Sequence, residues 1–111
     1  MRLTPEEVAG IVQALTLSLS GHSAELRLFG SRTDDTLRGG DIDLLLLVGD
    51  KEFRSQLVMN KHYMLADIKS KIGEQKIDLK IASKADLETD PFLKVVYLKS
   101  VLIKIFNAVN S

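Results

Sequence analysis

The sequence predicts an α+β fold of α/β-like character: a small mixed sheet of three to four strands flanked by helices. The expected order is helix-strand-strand-helix-strand-helix. Three observations carry this. Ile42 to Val48 is an unbroken apolar run bounded by Gly40 and Gly49, apart from Asp43 near its start, as in a central strand covered on both faces. Lys76 to Ala82, KIDLKIA, alternates with Ile77, Leu79 and Ile81 on one side, the period of two of a half-buried strand. Between them, Lys51 to Ile72 repeats apolar residues at helical spacing, and a helix joining two strands implies a right-handed crossover and parallel pairing.

The first element starts at Thr4-Pro5-Glu6-Glu7. Thr4 is a capping residue, Pro5 suits the first turn, and Glu7 sits three after Thr4 as in a capping box. Val8, Ile11, Val12, Leu15 and Leu19 form one apolar stripe, and Gly21 ends it. Residues 25–30, ELRLFG, alternate and read as a strand, joined by the loop 31–40 to the apolar strand and pairing antiparallel with it. The crossover helix carries Phe53, Leu57, Met64, Leu65, Ile68 and Ile72 as its stripe and stops at Gly73. SKADLETD reads as a loop, and Asp90-Pro91 opens a last helix running to about Val109. From Phe92 to Val109, thirteen of eighteen residues are apolar. The polar stripe of Tyr97, Ser100, Lys104, Asn107 and Ser111 is so narrow that this helix is expected either to sink into its own sheet or to pack on another chain.

At 111 residues the chain is expected to form a single domain, 1–111, burying about two-thirds of its unfolded surface. Fifteen basic and fifteen acidic side chains cancel, so no extended nucleic-acid surface is expected. The absence of cysteine removes disulfides, thiolate metal sites and cysteine nucleophiles. Only two histidines are present, His22 and His62, read as surface or interface groups, and Met59 and Met64 are read as core filler. The opening residues lack the apolar run of a signal peptide and no long apolar window occurs. A cytoplasmic location without membrane contact is therefore expected.

The candidate chemistry lies at the mouth of the apolar strand. Asp41 and Asp43 project on the same side, with Cα atoms about 6.6 Å apart, while Ile42 points into the core. Asp78 alternates with Ile77 and Leu79 and points away from the core. If its strand lies beside the first, three carboxylates converge, and three oxygen ligands of this kind suit Mg²⁺. A lone Asp-x-Asp also occurs as a solvated loop end, so the third element matters. Gly30-Ser31 at the end of the preceding strand lets backbone approach a ligand and offers a hydroxyl and N–H groups to an anion such as phosphate. Arg32 can fork onto a phosphate oxygen or pair with Asp34 or Asp35.

Together, FGS at a strand end, a loop, GGDIDLLLLV and then KIDLKI after a helix resemble the nucleotidyltransferase superfamily of DNA polymerase beta and kanamycin nucleotidyltransferase. More narrowly they are similar to the small prokaryotic minimal nucleotidyltransferases, over about residues 25–82. The resemblance implies a nucleotidyltransferase fold in which Gly30 and Ser31 hold the β- and γ-phosphates of a nucleoside triphosphate, most simply ATP; Arg32 joins them as a candidate from its position alone. It implies that Asp41, Asp43 and Asp78 hold Mg²⁺, two ions in all, and that Asp78 helps activate an acceptor hydroxyl. It further implies an antitoxin role beside a small all-helical HEPN protein whose tyrosine receives AMP. The last helix leaves open a binding module that neutralises a partner by occlusion and a homo-oligomer, and the resemblance also allows a transferase for small-molecule hydroxyls, since the same class contains such enzymes. Where many relatives continue with a small residue and Arg-Gly, this chain has Thr33-Asp34-Asp35, which adds negative charge beside the expected triphosphate.

Overall fold

Thr4 begins the first helix, α1 (Pro5–Leu19), in the expected way. Its hydroxyl accepts the Glu7 N–H at 3.1 Å while its own N–H is donated to the Glu7 carboxylate at 2.9 Å, a reciprocal capping box. Ser20, in the left-handed region at φ 49°, closes the helix. The computed structural model describes residues 3–30 and 41–109. There follow β1 (Ala24–Phe29), β2 (Ile42–Val48), α2 (Lys51–Met59), α3 (Lys61–Ile72), β3 (Ile77–Ser83), α4 (Lys84–Thr89), α5 (Pro91–Lys99) and β4 (Val101–Phe106).

The four strands form one mixed sheet in the order β3-β2-β1-β4. β1 is antiparallel to β2, β2 is parallel to β3 across the helical crossover, and β4 is antiparallel to β1. Strand alternation then makes two layers. On one face Leu26, Leu28, Ile42, Leu44, Leu46, Leu79 and Ile81 pack against Ile11, Leu15 and Leu19 of α1, Phe53 and Leu57 of α2, and Met64 and Ile68 of α3. On the other, Leu45, Leu47 and Ala82 pack against Leu93, with Phe29, Leu87, Val96 and Tyr97 around them. Leu44, Leu45 and Leu46 are all fully buried, as a central strand covered on both faces requires. At Gly10 a side chain would bring a Cβ within 2.6 Å of Ile72 Cγ2, so glycine there sets how closely α1 and α3 approach.

Four expectations are corrected. The single crossover helix over 51–72 is two helices: Asn60 leaves the helical region at φ −103°, ψ 11°, its N–H caps the last carbonyls of α2, and its side-chain amide donates to Gln56 O at 3.0 Å. The expected loop SKADLETD contains α4, because Ser83 and Asp86 form a second capping box. The last helix ends at Lys99 rather than near Val109: Ser100 turns extended at ψ 162°, and Val101–Phe106 pairs along β1 as an edge strand. Its aliphatic residues satisfy either period, and the free edge of β1 selects the strand. Met64 is core filler as expected, whereas Met59 is exposed. His22 and His62 are exposed, and the His22 ring stacks on Phe53 at 3.8 Å between centroids.

Candidate functional site

β2 and β3 place their aspartates by register. Asp43 is directly opposite Asp78 in the parallel ladder, so the two side chains project from neighbouring strands on one face, about 4.8 Å apart in the pairing direction. On its other side Asp43 pairs with Phe29, the last residue of β1. Ile42 points into the opposite core with no exposed surface, which fixes the direction of Asp43. Asp41 precedes the strand, is partly buried, and places Oδ2 3.7 Å from the Lys76 ammonium.

The chain closes over this point through Gly30. Its φ is +77°, in the left-handed region, and a Cβ built on it would overlap the Asp43 carboxylate. Glycine is thus required twice: for the backbone conformation and for the space that the carboxylate occupies. Sequence pattern finds both residues but not their contact, because it arises only when β1 and β2 pair.

The electrostatics follow from the crowding. Burial pushes the Asp43 carboxyl above the ordinary range, and the negative charges of Asp78 and then Asp41 push it further. A carboxylate opposite another carboxylate weakens the sheet unless a cation intervenes. Among the described residues no three His, Cys, Asp or Glu side chains are grouped so as to hold a metal ion as a set. Asp43 and Asp78 are directly opposed, while Asp41 is turned to Lys76. The donor chemistry nonetheless fits a hard divalent cation: oxygen ligands only, on a rigid strand pair, with the space beside Asp43 kept clear of side chain at Gly30.

Ser31 and Arg32, expected to hold phosphate, lie outside the described residues, as do Thr33, Asp34, Asp35 and Arg38. Two lysines escaped the sequence reading. Lys76 and Lys80 flank Asp78 at two residues on either side, so the same alternation that exposes Asp78 places both on its face. Lys80 is half-buried, and its ammonium stands 5.9 Å from the centroid of the Phe92 ring. The KIDLK alternation contained this signal.

Compared with known families, residues 7–104 match the model of the nucleotidyltransferase domain. No curated protein matches the chain. The matched span runs from the first turn of α1 into β4, and so includes Gly30 and all three aspartates.

Proposed function

Because this chain belongs to the nucleotidyltransferase domain family, we propose that it transfers AMP from ATP, with Mg²⁺, to a hydroxyl of a protein acceptor. The observation that carries the reading is the direct opposition of Asp43 and Asp78, with Asp43 seated against the glycine that leaves room for its carboxylate. Asp41, Asp43 and Asp78 would hold the metal, and Gly30, Ser31 and Arg32 the β- and γ-phosphates. Bound there, Mg²⁺ neutralises charge on the triphosphate and on the departing pyrophosphate. Transfer forms one bond, from the acceptor oxygen to the α-phosphorus, and breaks one, from that phosphorus to the bridging oxygen of pyrophosphate. Asp78, the exposed member of the opposed pair, takes the acceptor's proton. The strands contribute positioning, since they hold the carboxylates on a ladder that cannot shift register without exposing the core.

Similarity to the minimal nucleotidyltransferases supports a small all-helical HEPN partner as acceptor, in a toxin–antitoxin pair. The assay is transfer of label from α-labelled ATP to a co-purified acceptor. Asp43→Asn is expected to lower the rate by about a hundredfold or more, and undiminished labelling by this variant would refute the assignment.

One observation favours the second reading, neutralisation by occlusion. Val95, Leu98, Val101, Leu102 and Ile105 are all exposed on the last two elements. If occlusion alone suffices, Asp41→Asn/Asp43→Asn still protects cells from the partner; if transfer is required, protection disappears.

A further inference from the structure

Besides α4, whose Leu87 packs there, the carboxylate face of the sheet carries α5, which the reaction centre does not use. Leu93, Val96 and Tyr97 of α5 pack on Leu45, Leu47, Ala82 and Phe29. Leu45 and Leu47 share the face of Asp43, and Ala82 that of Asp78, by strand alternation. α5 therefore lies on the same face as the aspartates. Lys80 falls between Asp78 and Ala82 along β3, and its contact with Phe92 joins the carboxylates to the start of the helix. From Phe92 the helix turns an apolar row to solvent: Phe92, Val95 and Leu98, at 67%, 50% and 72% exposure, recur every third residue along one side. Lys94 and Lys99 flank the row and are exposed. From Pro91 onward the sequence contains lysines but no aspartate or glutamate.

We propose that this side of α5, with Lys80 at its inner end, is the docking surface for the acceptor, a protein segment that is both apolar and acidic. The inference rests on the transfer reading above and adds the chemistry of the partner. Charge decides the occupant: a second copy would bring lysines against lysines, whereas carboxylates on a partner meet Lys94 and Lys99 at the rim and Lys80 beside the site. Continuity gives the surface its purpose. A segment lying along Phe92, Val95 and Leu98 ends at Lys80, whose Cα is about 6.6 Å from that of Asp78. A small-molecule acceptor would make no use of an apolar row leading away from the site.

The test uses the full chain and a short labelled peptide of alternating leucine and glutamate around a central tyrosine, with a lysine-for-glutamate peptide as control. Fluorescence anisotropy without nucleotide should show the acidic peptide binding at least about tenfold more tightly than the basic one. Phe92→Ser/Leu98→Ser and Lys94→Glu/Lys99→Glu should each weaken it by about tenfold, while the melting temperature and its rise with Mg²⁺ and ATP stay unchanged. Equal binding of the two peptides, or unaltered binding by both variants, overturns the proposal. So does a wild-type dimer that these variants dissolve, or tighter binding to phosphatidylserine vesicles than to the acidic peptide. Binding that depends on α5 without any label transfer from ATP would instead overturn the transfer reading and leave the docking surface standing.

Discussion

Asp43 sits where the fold and its charge oppose each other. Its backbone belongs to the most buried strand, while its carboxylate faces Asp78 and lies against Gly30. Because its folded pKa is raised above the ordinary 3.8, the folded chain keeps this proton at a pH where the unfolded chain has lost it. Stability of the metal-free protein therefore falls as pH rises from the unfolded value through the folded one, and the deficit persists at neutral pH. Asp43→Asn removes that deficit, so thermal melts at neutral pH should show the metal-free variant melting above metal-free wild type. Mg²⁺ should raise the melting temperature of wild type by mass action and that of the variant much less. Gly30→Ala is expected to act in the other direction. The left-handed φ costs about 1–2 kcal/mol for a residue with a Cβ, and the methyl displaces the Asp43 carboxylate. The expected result is a lower melting temperature together with loss of the shift given by Mg²⁺ and ATP.

At the scale of single elements, caps and burial explain why each begins and ends where it does. Ser83 is the last residue of β3 and the cap of α4: its hydroxyl accepts the Asp86 N–H at 3.3 Å and its N–H is donated to the Asp86 carboxylate at 2.9 Å. Arg54 of α2 reaches the same carboxylate at 3.5 Å. The Ser83 N–H is the main reason that the Asp86 carboxyl is held below its ordinary range. A lowered acid contributes stability above its unfolded pKa and loses it as pH falls through the folded one. Ser83→Ala should destabilise the protein by about 1 kcal/mol, read from urea unfolding at neutral pH. In β2, Leu46 has no exposed surface, and Leu46→Ala should cost about 3 kcal/mol through lost burial and the cavity left behind.

Across the whole molecule, Arg27 ties the carboxyl-terminal elements to the sheet. Its Nε donates to Ser100 Oγ at 2.5 Å and its Nη2 to Ser100 O at 3.3 Å. The guanidinium pairs with Glu25 and stands 4.4 Å from the centroid of the Tyr97 ring. These contacts sit at the corner between α5 and β4, so they fix where the helix stops and the edge strand starts. β4 has exposed Val101, Leu102 and Ile105, and a register irregularity opposite Leu26 and Arg27 breaks its ladder, which makes it the weakest strand of the sheet. Arg27→Met should lower stability by about 2 kcal/mol. Hydrogen exchange should then rise in 101–106 before it rises in β2; uniform acceleration through the sheet would show that β4 is not a separate unit.

The sequence by itself determined the first helix, the first three strands, their antiparallel and parallel pairing and the face on which Asp43 and Asp78 stand. These follow from local signals: a capping box at Thr4, period two in KIDLKIA, and a doubly buried run after Asp41. Even the nucleotidyltransferase family was legible, because its motif residues occupy strand ends that alternation alone orients. Tertiary structure decided the rest. Residues 101–106 are aliphatic enough for helix or strand, and only the open edge of β1 and the grip of Arg27 on Ser100 made them a strand. The opposition of Asp43 to Asp78, and the overlap that excludes a side chain at Gly30, exist only once β1, β2 and β3 lie side by side. Register is a relation between strands, and no single strand's sequence contains it.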